Sequence, residues 1–185
     1  MGRPRTSREE MLAGAARALA ADRNASMATI AAAIGVSRAT LHRHYATRRE
    51  LLVELTRRAL DETDRLCAVR MAGARDTRHA LELMVEALVV IGERYPFLTY
   101  AMEVMTDEGV RAHYARQVAE LAELVELAKR DGVIREGVPT AWVARSLDAL
   151  LYAGWEAVRA GEVPKEEVAT LLVRTLLEGV APRGG

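Results

Sequence analysis

The stretch that decides the fold runs from Ile30 to Leu52 and reads IAAAIGVSRATLHRHYATRRELL. Ile30 and Ile34 lie four residues apart, on one face of a short helix, and Gly35 suits the left-handed backbone at which helices end. Ser37 can accept a backbone N–H bond and so begin a second helix. Two short helices joined by such a turn form a helix-turn-helix, whose second helix enters the major groove of DNA.

The helix after the turn, about Arg38 to His44, is predicted to have two unlike faces. Leu41 and Tyr45 lie four residues apart and can pack against the first helix of the pair. Ser26 suits the N-cap of that first helix, so the helix-turn-helix is expected over about residues 26–45. The outward residues are basic, polar or small, and comprise Arg38, Ala39, Thr40, His42, Arg43 and His44.

A further helix, helix four, is predicted to begin at Thr47, because Glu50 three residues on completes a capping box with the cap N–H. Arg48 and Arg49 occupy its first turn, where cations face the positive end of the helix dipole. Their placement indicates that an anion from outside the protein compensates them.

This stretch resembles the TetR family of one-component transcriptional repressors over roughly residues 7–58. The family pattern has tyrosine, lysine and glycine where this chain has His42, Arg48 and Ala39, and these departures bear on base preference more than on the mode of binding. The motif is specific, because it defines residue types at many positions within one compact span. The residues that carry the resemblance are Ile30, Ala31, Gly35, Val36, Ser37, Thr40, Leu41, His44, Tyr45, Arg48, Glu50 and Leu51.

The exposed face and the resemblance together predict contacts with DNA. Arg38 is expected to read guanine through O6 and N7, and Ala39 to touch a thymine methyl group. Either a base or the backbone is open to His42 and Arg43. The resemblance implies phosphate contacts for Thr40, His44 and Arg48. Two histidines two residues apart point to different helix faces, so neither a metal site nor a cofactor is expected here.

Charge is divided unequally along a chain that is neutral as a whole, with 26 basic and 26 acidic residues. Residues 1–60 hold eleven arginines and five carboxylates, a net charge of +6, and the remainder carries −6. A basic segment attracts phosphates, while an acidic remainder favours one orientation of approach. The arm Arg3-Pro4-Arg5 could lie along a groove or the DNA backbone, or it could be a disordered terminus.

Length and composition predict an all-α protein of two helical domains, since 185 residues that are 50% hydrophobic can form a second core beside a three-helix head. The expected domains are a helix-turn-helix DNA-binding domain over 1–47 and a helical ligand-binding and dimerisation domain over 48–185. The single Cys67 excludes an internal disulfide, and no apolar leader or membrane-length run is apparent, so a cytoplasmic protein is expected.

The positions of N-cap residues, glycine and proline, which begin and end helices, predict nine helices. Ser7 and Glu10 form a capping box that opens helix one, and helix four should end near Val69. Helix five carries an apolar face from Leu81 to Ile91, and Pro96 restarts a short helix six at about Phe97–Met105. Helices seven, eight and nine are expected over about 110–130, 140–160 and 164–180.

Helices eight and nine are apolar on more than one face. Helix eight has a first apolar side that includes Val143 and Leu147 and a second that includes Trp142 and Tyr152, while helix nine has a run of leucine and valine from Leu171. One core cannot cover both sides, so a homodimer through helices eight and nine is expected. Such a dimer presents two recognition helices about 34 Å apart to a near-palindromic operator in double-stranded DNA.

The resemblance also implies a cavity among helices five to eight that binds a small-molecule effector. Its expected occupant is mainly apolar, because the candidate lining residues are mostly methionine and aromatic. Ordinary core packing is the favoured alternative for any one of them. The candidates are Met84, Met102, Met105, His113, Tyr114, Gln117, Tyr152 and Trp155.

Two alternatives belong to other functional classes. For an enzyme, Arg145 and Asp148 on helix eight and the pair Asp107 and His113 are the only candidates, and no nucleophile elbow or phosphate-cradling loop accompanies them. A pair three residues apart is more often a surface salt link, so no enzymatic activity is expected. The second alternative is a dimeric helical interaction module that no longer binds DNA.

Overall fold

The computed structural model describes residues 7–100 and 102–180, and it gives no side-chain positions for 99, 100, 102 and 180. Every regular element in these ranges is helical, which confirms the all-α prediction. None of the described helices has the combined length and apolarity that crossing a bilayer requires. The α-helices are α1 Arg8–Ala21, α2 Met27–Ala33, α3 Arg38–His44, α4 Arg48–Met71, α5 Thr77–Arg94, α6 Glu108–Arg130, α7 Thr140–Ala160 and α8 Lys165–Val180.

The predicted helix six is wrong in type, because two 3₁₀ helices, Pro96–Tyr100 and Met102–Thr106, replace it. Tyr95 and Phe97 are both buried, at 5% and 3% exposure. Pro96 lacks a backbone N–H and disfavours helical geometry at Tyr95, so the helix breaks before Pro96. Short 3₁₀ turns are common as connectors between helices, and two of them follow the break. Predicted helices seven to nine are therefore α6 to α8.

The chain divides into two compact units, which comprise the described residues of Met1–Ala59 with Arg94–Arg111, and those of Leu60–Glu93 with Ala112–Gly185. The first unit thus contains the 3₁₀ segment as well as the helix-turn-helix. The sequence-based boundary after residue 47 stays a prediction.

The first unit has a small core between α1, α2, α3 and the start of α4. Met11, Leu19, Ile30, Leu41, Leu51 and Leu55 are its largest fully buried side chains. The capping box at its beginning is confirmed: the Glu10 N–H donates to Ser7 Oγ at 3.1 Å, and the Ser7 N–H donates to Glu10 Oε2 at 2.6 Å. This second bond holds the pKa of Glu10 below its usual value.

The second unit has one core that α5, α6, α7 and α8 share. Leu81 and Val85 of α5 lie in it with Val125 of α6, Leu147 of α7 and Leu172 of α8. Burying such apolar side chains stabilises the unit by roughly 2 kcal/mol for each large residue.

The predicted second apolar face of α7 is present, but α8 exposes fewer large apolar side chains than the sequence indicates. Trp142 and Tyr152 are 63% and 45% exposed, whereas among the described side chains of α8 the exposed large apolar residue is Leu171, at 39%. Gly154 explains the difference, because a Cβ there would lie 2.9 Å from Val168 Cγ2. The glycine lets α8 approach α7 closely, so that the other leucines of α8 are covered within the chain. These are Leu172, Leu176 and Leu177.

Candidate nucleic-acid interface

The turn between α2 and α3 forms as its residues predict. Ser26 Oγ caps α2 by accepting the Thr29 N–H at 3.1 Å, and Gly35 after the helix has φ +71°. Nothing lies within 4 Å of a Cβ built at Gly35, so the backbone angle, not space, demands glycine. The Val36 N–H then donates to the Ala31 carbonyl at 3.0 Å, which closes the turn.

Helix α3 is held by its inner face. Ser37 Oγ accepts the Thr40 N–H at 3.0 Å and begins the helix. Leu41 and Tyr45 are buried, as predicted, and the Tyr45 hydroxyl accepts a long hydrogen bond of 3.4 Å from Arg8 Nε. The recognition helix is therefore fastened to the core at both ends of its apolar side.

The outer face of α3 brings together all six predicted residues of that helix. Arg38, Ala39, Arg43 and His44 are exposed, and Thr40 and His42 are half-buried. Arg38 Nε donates to His42 Nε2 at 3.2 Å, so two of the six are joined to each other. The surface carries two exposed guanidinium groups, which suits it to an anionic partner.

Arg48, the seventh predicted DNA residue, is bound to the protein itself. Its guanidinium donates to the carbonyls of Arg23 at 2.6 Å and Ala25 at 3.3 Å, and pairs with Glu103 at 3.0 Å. The compensating anion is thus internal, where the sequence indicated one from outside. A phosphate contact by Arg48 stays a prediction, and it would require Arg48 to give up these bonds.

The sequence reasoning missed the link between α4 and the 3₁₀ segment. Arg49 donates to Thr106 Oγ1 at 2.7 Å, and Arg57 pairs with Asp107 at 3.0 Å. The Val110 N–H and the Arg57 guanidinium hold the pKa of Asp107 below its usual value. The available signal was the arginine pair at the positive end of α4, but spacing alone could not identify its distant partners.

The cap of α4 also differs from the prediction in one bond. Thr47 Oγ1 accepts the Glu50 N–H at 3.1 Å, as expected. The Glu50 carboxylate, however, accepts from the Ala46 N–H at 2.9 Å, one residue before the cap. Glu50 therefore ties the end of the α3–α4 turn to the first turn of α4.

Two predicted effector residues belong to the core of the second unit. Met84 is buried, and Trp155 is half-buried and packs against that core. The Trp155 indole lies so close to α5 that a Cβ at Gly92 would be 2.0 Å from it. Its Nε1 is buried without a hydrogen-bond partner among the described residues. A buried indole N–H usually has an acceptor, so this donor is an exception among the described residues.

The predicted polar effector residues bond to α4, and their contact with a ligand stays a prediction. His113 Nε2 lies 2.8 Å from Asp64 Oδ2, and Gln117 Nε2 donates to Asp64 Oδ1 and to the Leu60 carbonyl. Burial would raise the pKa of Asp64, but hydrogen bonds from Arg116, Gln117 and His113 outweigh it and hold the pKa below its usual value. This carboxylate joins α4 to α6 within the second unit.

The remaining candidates are dispersed. The Tyr114 hydroxyl donates to Asp148 at 2.6 Å, and burial and this carboxylate raise the pKa of Tyr114. Tyr152 is exposed, Met105 is half-buried in the first unit, and the side chain of Met102 lies outside the described residues.

Three of the four side chains considered for an enzyme have structural partners: Asp148 bonds Tyr114, Asp107 pairs with Arg57, and His113 pairs with Asp64. In residues 7–100 and 102–180, no three His, Cys, Asp or Glu side chains gather as a metal ion would need. Burial raises the pKa of the Cys67 thiol to about 11, which keeps this cysteine in its unreactive protonated form.

Comparison with known proteins agrees with this geometry. The profile described as "Bacterial regulatory proteins, tetR family" matches residues 12–55, from within α1 into α4. The HTH-type transcriptional repressor LfrR of Mycolicibacterium smegmatis is 29% identical over 174 residues, 94% of this chain and 90% of LfrR. A crystal structure of LfrR from Mycobacterium smegmatis in complex with proflavine has a TM-score of 0.78 at 28% identity, covering 95% of this chain and 96% of that one. The helix-turn-helix segment belongs to the TetR family.

A more distant relative, the nucleoid occlusion factor SlmA of Marinobacter nauticus, is 26% identical over 78% of this chain and 77% of its own length. The family match and the similarity to a TetR-like regulator support a transcriptional regulator with an N-terminal helix-turn-helix and a helical C-terminal domain. The resemblance inferred from Ile30–Leu52 is thereby confirmed.

Proposed function

We propose that this TetR-family regulator is a repressor that binds a near-palindromic operator as a homodimer and is released by a small, mainly apolar ligand. The observation that carries the DNA-binding part is the outer face of α3, where Arg38, Arg43 and His44 are exposed while Leu41 and Tyr45 anchor the helix. A rigid helix with an exposed basic face is what the major groove accommodates.

Each residue of this face has a role on DNA in the proposal. Arg38 reads a guanine, and Ala39 contacts a thymine methyl group. Thr40 and His44 contact phosphates, and His42 and Arg43 contact either a base or the backbone. The net charge of +6 over residues 1–60 attracts the duplex and makes binding depend on salt.

Dimerisation follows from the exposed apolar residues of α7 and α8. Trp142, Tyr152 and Leu171 are 63%, 45% and 39% exposed. Two copies that join these faces about a two-fold axis would remove them from water and present two recognition helices to one operator.

The effector part of the proposal concerns Trp155. Its buried N–H without a partner, set among apolar side chains, would suit a mostly apolar ligand with one acceptor. Since the relative LfrR has been crystallised with proflavine, proflavine is the first probe to use. An effector releases DNA only if it binds the DNA-incompetent arrangement more tightly.

The test of DNA binding is a gel shift with duplexes that flank the protein's own coding region, in the presence of competitor DNA. Arg38→Ala should weaken binding to a retained duplex by about 1 to 3 kcal/mol. Arg130→Ala removes the same charge from the far end of α6 and should leave binding unchanged. Absence of any retarded band at low salt would favour the alternative, a helical interaction module without DNA binding.

The dimer is tested by light scattering at micromolar concentration. Trp142→Asp should convert the dimer to a monomer, while Val69→Asp, at a residue 75% exposed on α4, should leave the dimer intact. A wild-type protein that is already monomeric would contradict the proposed assembly.

The effector site is tested with a Trp142→Phe variant, in which Trp155 is the sole tryptophan. Proflavine should quench Trp155 fluorescence saturably and reduce the retarded band in the gel shift. Quenching without loss of the band would contradict the proposed release.

A further inference from the structure

His42 forms two hydrogen bonds that together define its protonation. Arg38 Nε donates to His42 Nε2 at 3.2 Å, and His42 Nδ1 lies 3.2 Å from the Ala46 carbonyl. A carbonyl only accepts, so Nδ1 carries the proton. Nε2 must then keep its lone pair in order to accept from Arg38. Both bonds exist together only in the neutral imidazole with its proton on Nδ1.

This arrangement restricts the use that Arg38 can make of its guanidinium. The Nε–H is engaged by His42, which occupies the side of the guanidinium that pairs Nε–H with one terminal amino group, while the end formed by both terminal amino groups takes no part in that bond. Arg38 therefore offers the end of its guanidinium, two parallel N–H groups, and not the side that includes Nε. Two parallel donors match the O6 and N7 acceptors of guanine in the major groove.

Ala46, whose carbonyl orients His42, is itself bonded to α4. The Ala46 N–H donates to Glu50 Oε2 at 2.9 Å, and the Glu50 N–H donates to Thr47 Oγ1 at 3.1 Å. A series of contacts four residues apart thus runs from Arg38 through His42 and Ala46 to the first turn of α4. A long, flexible arginine side chain that is held before binding loses less freedom on reaching the base.

We propose that His42 is a positioning residue for base recognition: it holds Arg38 end-on and thereby gives the protein its preference for guanine at one position of each half-site. This inference rests on the proposed DNA-binding function and deepens it. His42 acts through Arg38 and need not touch the DNA.

The test begins with a pool of duplexes carrying about twenty random base pairs, selected with the full-length wild-type protein. Arg38→Ala should abolish the preference for guanine at one position of the selected site. In the duplex that the wild type binds best, the guanine at this position is replaced by 7-deazaguanine, which lacks N7. The wild type should lose about tenfold in affinity on this replacement. His42→Ala should lose less than about twofold on the same replacement. The double variant Arg38→Ala, His42→Ala should discriminate between the two duplexes to the same extent as each single variant.

Control variants separate positioning from general damage. His42→Gln restores an acceptor for Arg38 and should recover part of the discrimination, while His44→Ala should weaken all duplexes alike and keep the tenfold ratio. Thermal unfolding of each variant checks that the fold is retained.

A measurement without DNA tests the same idea. The ¹⁵N shifts of His42 in the free protein should show the proton on Nδ1, and Arg38→Ala should shift the Nε2 resonance. A proton on Nε2 would overturn this inference and leave the proposed function standing. The same holds for a His42→Ala variant that keeps the wild-type ratio of affinities for the guanine and 7-deazaguanine duplexes. A wild type that retains no duplex at low salt would overturn the proposed function and this inference with it.

Discussion

Helix α2 rests on α1 at a glycine, and replacing that glycine should move the helix-turn-helix. A Cβ at Gly14 would lie 2.3 Å from Ile34 Cγ2. Carbon atoms that are not bonded to each other settle at about 3.5 to 4.0 Å, so Gly14→Ala must push Ile34 away by about 1 Å.

Two opposing terms set the magnitude. Alanine in a helix interior is favoured over glycine by about 1 kcal/mol. Overpacking a core typically costs about 1 to 3 kcal/mol, and a contact as short as this one should cost about 3 kcal/mol. The net loss in the free energy of unfolding should be about 2 kcal/mol, which for a protein of this size lowers Tm by roughly 4 to 8 °C.

Urea unfolding followed by circular dichroism measures this loss, and two further variants isolate its cause. Gly179→Ala makes the same change in α8 where nothing lies within 4 Å, so it should show the helical gain alone. In an Ile34→Ala background the nearest side-chain atom left is Cβ, at 3.2 Å from the new methyl group, and Gly14→Ala should become stabilising there. A loss of equal size in both backgrounds would refute the steric explanation.

Three further predictions concern other positions. Gly35→Ala should cost about 1 to 2 kcal/mol from its left-handed backbone and Gly35→Asn less, as unfolding in urea can show; equal losses would contradict the argument from φ. The pKa of Asp64 is lowered in the fold, so this carboxylate stabilises the protein above about pH 4 and loses the effect as pH falls through its folded pKa. Asp64→Asn should therefore be less stable at pH 7, and its free energy of unfolding should fall less steeply on acidification. Parallel curves of stability against pH for the two proteins would count against this explanation. A Cβ at Gly92 would lie 2.0 Å from the Trp155 indole, so Gly92→Ala should displace the ring and, in a Trp142→Phe background, shift Trp155 emission to longer wavelength. Unchanged emission would show that the helices separate without exposing the ring.

Much of the recognition head was predictable because its signals are local. Ser26 and Ser37 cap their helices, Gly35 adopts the left-handed backbone, and Leu41 and Tyr45 are buried, all as the residue types predict. Each of these outcomes depends on atoms within one or two helical turns, where spacing along the chain determines spacing in the fold.

The contacts that the sequence did not predict are those in which a side chain finds a distant partner. Arg48 bonds Glu103, 55 residues away, and His113 bonds Asp64, 49 residues away. Sequence spacing contains no direct record of such pairs. An outside anion for Arg48 and a ligand-facing His113 were therefore reasonable expectations, and the structure gives both side chains partners within the protein.

By itself, the sequence determined the helical class, the helix-turn-helix with its exposed basic face, and the separation of positive and negative charge. The tertiary structure decided that the 3₁₀ segment belongs to the first unit, that most leucines of α8 are covered within the chain, and that Arg38 bonds His42. The physical reason is that caps, turns and amphipathic faces follow from short-range sterics and hydrogen bonds. Pairing between distant charges and close approach of helices depend on how the whole chain packs.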